Sequence, residues 1–262
     1  MENRLGEGMA ATIAIGGKGG SGKTTIAAMM VRALVEQGSG GAVLVVDADP
    51  NWCLGPMLGV EPVGTVADVR EQVRDKSGTA GGDRVRLAEY GVQRVITEAE
   101  GFDLLTMGRP EGPGCYCAVN SMLRRFLDEM GSQYRYVIID NEAGMEHLSR
   151  RTTNNVDVLA VVAGPSRVGI VAAERIFELV ARLPIAVKRV GVIWNRTENP
   201  PAWRKVDGGV EVFGCVGEDE AVLRASMQGR TVFELEADNP AFSVVRAMLE
   251  YRLSPGAPAG RK

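Results

Sequence analysis

The sequence predicts an α/β fold with a mostly parallel central sheet and helices on both faces. Three observations predict it. Short, near-continuous apolar runs recur along the chain, as in strands buried on both faces. Stretches with helical spacing separate most of those runs. The 262 residues, 45% of them hydrophobic, suffice for the core of one such domain. The whole chain, 1–262, is read as a single domain, with 254–262, rich in Pro, Gly and Ala, as a disordered tail.

The elements follow in order. Thr12 to Ile15 is an apolar strand ending in glycines. From Lys23 to Gln37, Ile26, Ala27, Met30, Ala33 and Leu34 share one helical face, and Gly38 stops the helix. Ala42 to Val46 is a strand that ends at Asp47. Glu61 to Glu100 is more polar and reads as an excursion between core strands. It holds a helix around Val66 to Val73, a loop from Ser77 to Asp83 and a second helix. Phe102 to Thr106, Tyr136 to Ile139, Val156 to Val162 and Arg189 to Trp194 are further strands. Val119 to Met130 and Val168 to Leu183 are helical. In such folds ligands bind at the carboxyl ends of the strands.

Bulk properties exclude some functions. The formal net charge is −3, from 30 basic and 33 acidic residues, and aromatics are 5%. Neither nucleic-acid nor membrane binding is supported by those numbers. No apolar run is long enough to span a bilayer, and Met1 to Met9 lacks the pattern of a secretory signal. The expected compartment is the cytoplasm, where thiols stay reduced.

Gly17-Lys18-Gly19-Gly20-Ser21-Gly22-Lys23-Thr24 fills every position of a P-loop, after a strand and at the start of a helix. Its glycines let backbone N–H groups close around phosphate oxygens. Lys23 supplies charge for the β and γ phosphates, and Thr24 a hydroxyl ligand for Mg²⁺. Gly17, Gly19 and Gly22 also fit a dinucleotide fingerprint, with Asp47 ending the second strand. Lys23-Thr24-Thr25 decides for a nucleoside triphosphate, since a dinucleotide fold has no need of them. Asp140, at the end of an apolar strand, is positioned to hold Mg²⁺. A carboxylate of Asp47-Ala48-Asp49 is positioned to orient the attacking water; the choice falls on Asp49, with Asp47 left open.

Lys18, a second lysine just after the first glycine of the loop, resembles the deviant Walker A group. That group contains the septum-positioning and plasmid-partition ATPases (MinD and ParA) and the nitrogenase iron protein. The resemblance implies ATP as nucleotide and ATP-dependent dimerisation, with Lys18 acting on the partner's nucleotide. It also implies that Asp49 is a switch I acid, that Asp140 to Gly144 is switch II, and that Asn195 contacts adenine. Within the group, the stretch from Met107 to Cys117 and the segment from Asp140 to His147 resemble the CooC-like maturation factors of CO dehydrogenase and their acetyl-CoA synthase relatives. That resemblance implies an ATPase acting as a metallochaperone: a homodimer that inserts nickel into CO dehydrogenase or acetyl-CoA synthase.

Cys115 and Cys117 are too close to form a relaxed disulfide with each other, so metal binding or redox chemistry is the expected role. Two thiolates are half of a closed site. A two-fold axis beside the motif would supply the other pair, which the family resemblance also implies. Tetrahedral sulfur suits Zn²⁺ and square-planar geometry Ni²⁺, so the ion stays open. Gly112, Pro113 and Gly114 are read as a loop turning toward that axis. Cys53 and Cys215 are expected to be buried, and His147 to be an incidental surface residue. Two alternative functions remain: a MinD/ParA-like positioning ATPase, and an iron-protein-like reductase holding an iron–sulfur cluster between subunits.

Overall fold

The computed structural model describes residues 10–38, 42–75, 81–109, 115–130, 133–142, 155–182, 186–202 and 210–253, without the side chains of 81–84, 115–118, 129–130 and 155. The predicted tail, His147 and Gly112 to Gly114 lie outside the described residues.

The described strands are β1 (Ala11–Gly17), β2 (Val43–Ala48), β3 (Thr97–Ala99), β4 (Phe102–Thr106), β5 (Tyr136–Asn141), β6 (Asn155–Ala163), β7 (Ala186–Asn195) and β8 (Glu211–Val216). They form one sheet in the order β3-β4-β2-β5-β1-β6-β7-β8. Every pairing is parallel except that of β3 with β4. The described helices are α1 (Lys23–Glu36), α2 (Leu54–Leu58), α3 (Val66–Asp75), α4 (Gly81–Arg94), α5 (Cys115–Met130), α6 (Arg167–Val180), α7 (Glu220–Met227) and α8 (Pro240–Met248). The expected α/β architecture is therefore the observed one.

The period of two along each strand divides the core between the two faces of the sheet. Ile13, Ile15, Val43, Val45, Ile138 and Val158 join α1 and α8 in one cluster. Ala14, Leu44, Val46, Ile139, Leu159 and Trp194 join residues of α3, α5 and α6 in the other. Both faces are covered, which is why the strands carry few polar residues.

Several expectations are corrected. Helix α1 buries more than one face: Ala28, Met29, Val31 and Arg32 are buried along with the expected residues. The cause lies at the other end of the chain, where Phe242, Val245 and Leu253 pack in the same cluster. Helix α4 begins at Gly81, inside the stretch expected to be a loop. Cys53 is exposed and Cys215 only half-buried. Among the described residues no helix is long and apolar enough to cross a membrane.

Candidate functional site: a phosphate loop ringed by carboxylates

Strands β1, β2, β5 and β7 all point their carboxyl ends at the loop between β1 and α1. Gly17 has φ of 148°, and a Cβ there would collide with the carbonyl oxygen of Val162 at the end of β6. Gly22, with φ of 95°, caps α1 in the left-handed region. Only glycine takes these conformations without strain, so the loop can curl tightly enough to aim its N–H groups inward. Lys23, 7% exposed, lies against the loop's underside, its Nζ 3.4 Å from the Lys18 carbonyl. Lys18 itself is exposed at the loop's tip.

Two acids stand beside this loop. Asp47 and Asp140 are register partners on β2 and β5, and both are buried. Asp140 shares a hydrogen bond with the Thr24 side chain, while its Oδ1 has no partner among the described residues. Burial pushes its carboxyl up to about 6, against the opposing pull of Thr24 and the Lys23 ammonium. Asp47 is pushed up to about 7 by burial, with the nearby Asp140 adding to the shift. Its Oδ2 accepts from the Leu54 amide at 2.8 Å and its Oδ1 from the Asp49 amide at 3.2 Å. Those bonds tie Asp47 to the loop that follows it.

Asp49 lies further out and is half-buried. Its Oδ1 accepts from the backbone and side-chain nitrogens of Asn51, both at 2.9 Å. The turn then carries Trp52 into positive φ, 46°, and leaves it half exposed. This turn is what brings Cys53 to the surface. The Cys53 thiol is pushed up by partial desolvation, then by Asp47, Asp49 and Asp140, so all three carboxylates are close to it.

The structure brings together Gly17 to Thr24, Asp47, Asp49, Asp140 and Asn195. Asn195 ends β7, and its Nδ2 donates to the Ser21 carbonyl at 2.8 Å. Cys115 and Cys117 stand in the first turn of α5, directly after the Gly112 to Gly114 stretch read as a loop; their side chains lie outside the described ones. Among the described residues no group of three or more His, Cys, Asp or Glu is arranged to hold a metal ion. Sequence reasoning placed Asn141 within switch II but missed its contact: its Nδ2 donates to the Ile15 carbonyl at 2.9 Å and fixes the exit of β1. An Asn directly after the strand-ending Asp140 was the available signal. It also missed a cleft of about 690 Å³ beside Lys18, lined by Val168, Val171 and Ile176 with Arg167 and Arg175. The exposed Val168 and Val171 break the polar face of a helix, a pattern visible in the sequence.

The model of the CobQ/CobB/MinD/ParA nucleotide-binding domain matches residues 12–232, most of the chain. The chain belongs to this family. Within the CobQ/CobB/MinD/ParA family it is 36% identical over 248 residues to an uncharacterised ATP-binding protein of Methanocaldococcus jannaschii, covering 91% of this chain and 96% of that one. It is 30% identical over 267 residues to the carbon monoxide dehydrogenase accessory protein CooC of Rhodospirillum rubrum, covering 93% and 97%. A ParA family ATPase from Chlorobium tepidum superposes with a TM-score of 0.70 over 92% of this chain and 98% of that one, at 18% identity, which is a likeness of fold. The protein is thus an ATP-binding P-loop ATPase of the MinD/ParA type. The residues present fit a Mg²⁺–nucleotide: a glycine cradle, a buried lysine, and a Thr24–Asp140 pair with one carboxylate oxygen unpartnered among the described residues. Thr24 and Asp140 would hold Mg²⁺, which when bound would offset the charge of the phosphates.

Proposed function

We propose that this protein hydrolyses ATP as a homodimer and uses the cycle to insert nickel into a nickel enzyme of the CO dehydrogenase or acetyl-CoA synthase class, with nickel or zinc as the ion held at its cysteines. The observation that carries this reading is the near-full-length similarity to the CooC accessory protein in a chain with a Cys-x-Cys pair. In this reading Gly17 to Thr25 hold the triphosphate, and Thr24 and Asp140 hold Mg²⁺. Asp49 orients the attacking water; it is half-buried at the mouth, whereas both oxygens of Asp47 are engaged by backbone amides. Lys23 counters phosphate charge from its own chain, and Lys18 from the partner. The exposure of Lys18 beside a cleft lined by Val168 and Val171 supports a second chain meeting this face. Cys115 and Cys117 with their symmetry mates then complete a four-thiolate site.

Coupling between nucleotide and metal has a short route. Strand β4 lies next to β2, and the chain leaving β4 reaches Cys115 eight residues after Met107. A shift of the loop after Asp47 on hydrolysis would therefore be felt where the cysteine helix begins.

The test pairs metal content with mass. Wild type and the Cys115→Ser/Cys117→Ser double variant are purified anaerobically and titrated with nickel and zinc, with and without a non-hydrolysable ATP analogue, while light scattering follows the oligomer. One metal per dimer in wild type and none in the variant is the expected result. Equal binding by both proteins, or by neither, would remove the metal-delivery reading.

A further inference from the structure

Asn195 is held from one side and grips the phosphate loop on the other. Its neighbour Trp194 is fully buried, and β7 runs between β6 and β8, with Asn195 paired to Val216. Just beyond the strand, the Thr197 amide donates to the Val216 carbonyl at 3.0 Å. The Asn195 Oδ1 accepts from the Arg196 amide at 3.0 Å, and Arg196 itself has a left-handed φ of 62°. With its oxygen committed in this way, the carboxamide has its orientation set. The Nδ2 is thereby turned to the Ser21 carbonyl, 2.8 Å away and 174 residues earlier in the chain.

We infer that Asn195 is a positioning residue for the phosphate loop, which sets the Ser21–Gly22 peptide so that its N–H serves the cradle. A peptide is planar, and its C=O and N–H point in opposite directions. Fixing the Ser21 carbonyl outward on Asn195 fixes the Gly22 N–H the other way. Gly22 has φ of 95° and caps α1 with no side-chain hydrogen bond of its own, so nothing in its own residue holds that peptide. A Cβ at Gly22 would collide with the Asn195 Nδ2, so the two positions fit only as glycine and a close carboxamide. Were the peptide to flip, an acceptor would replace a donor in a loop whose purpose is to bind phosphate oxygens.

This inference rests on nucleotide binding, which the family membership carries, and is independent of metal delivery. It differs from the adenine contact that the resemblance implies for the same side chain. A base-reading role acts only on ligands with a base, whereas a loop-positioning role acts on the phosphates.

The test uses Asn195→Ala and Asn195→Asp in the full chain with three ligands: Mg·ATP, Mg·GTP and magnesium tripolyphosphate, which has no base. Calorimetry should find all three weakened in Asn195→Ala by a common factor, on the order of fivefold to thirtyfold for one lost hydrogen bond. Asn195→Asp should be at least as damaging, because a carboxylate oxygen would face the Ser21 carbonyl. In parallel, hydrogen exchange of the nucleotide-free Asn195→Ala protein should speed up at the loop amides between Gly17 and Thr24 and stay unchanged in β5. The inference is overturned if tripolyphosphate binds the variant as it binds wild type while ATP weakens. It is equally overturned if loop exchange is unchanged, or if exchange rises in β5 as much as in the loop, since Asn195 would then merely hold the fold.

Discussion

The backbone amide of Met107 donates to the carbonyl of Asp47 at 2.9 Å, so the exit of β4 is bonded to the strand that carries the nucleotide-site acids. The Met107 carbonyl in turn accepts from the Ala67 amide at 3.0 Å, at the start of α3. Gly108, next in the chain, has φ of 74°, and a Cβ there would come within 2.5 Å of the Thr65 side chain. Thr65 cannot step aside easily, because its hydroxyl donates to Asp68 at 2.8 Å and accepts from the Asp68 amide at 3.1 Å. Gly108→Ala is therefore expected to destabilise the protein by about 1–3 kcal/mol, from backbone strain and the loss of this contact. Urea unfolding at neutral pH measures it; an unchanged midpoint would mean that the turn adapts at no cost.

The Asp47–Asp140 pair should make the nucleotide-free protein sensitive to pH. Both carboxyls hold a proton more tightly when folded, at about 7 and about 6 against a reference of 3.8. Their contribution to stability is thus complete below about pH 4 and is lost as the pH rises through those folded values. Asp47→Asn cannot ionise and escapes its share of that loss. Thermal melts between pH 5 and pH 8 should find the variant gaining steadily on wild type as the pH rises to about 7, and the gain levelling off above that. A difference that stays flat across the range would contradict the assignment.

Binding and turnover should separate at Asp49. Its carboxylate lies outside the phosphate loop, held by Asn51 at 2.9 Å, whereas Lys23 is buried beneath the loop. In the proposed cycle Asp49→Ala removes the water-orienting group alone, so ATP binding should stay within a few-fold of wild type while turnover falls about a hundredfold or more. Lys18→Ala should instead reduce turnover together with ATP-dependent dimerisation. Single-turnover hydrolysis with light scattering distinguishes the two, and normal turnover in Asp49→Ala would shift the role to Asp47.

What the sequence made legible was local. The phosphate loop needs glycines at fixed positions, and the buried strands need apolar runs, so Gly17 to Thr24 and strands such as β2 and β5 are visible without any tertiary information. What stayed hidden depends on distant partners. Strand β8 went unread because Gly214 interrupts its pattern; a Cβ there would collide with Met248 of α8. The helical start at Cys115 follows a run of Gly and Pro and has the look of a loop in sequence. The Asn195–Ser21 bond joins residues 174 apart, and nothing near either one signals it. Cys53 was expected inside and lies outside because the turn after Asp49 carries it there.

Arg32 is the most consequential of these hidden contacts for stability. A helical reading of α1 places an arginine on the solvent face, yet this one is only 3% exposed. Its Nη1 donates to the carbonyls of Val232 and Leu235 at 2.8 and 2.9 Å, its Nε meets Glu36 at 2.6 Å, and its guanidinium lies 4.0 Å from the centre of the Phe242 ring. One planar fork thus engages two backbone carbonyls, of which that of Val232 also accepts from the Leu235 amide at 3.4 Å, and ties the last segment of the chain to the helix behind the phosphate loop. Lysine has a single point of donation and cannot reproduce this geometry. Arg32→Ala is expected to cost about 2–4 kcal/mol and Arg32→Lys most of that, read from urea midpoints. If Arg32→Lys unfolds where wild type does, the fork is dispensable, and apolar packing of Phe242 and Val245 on α1 suffices to hold the segment.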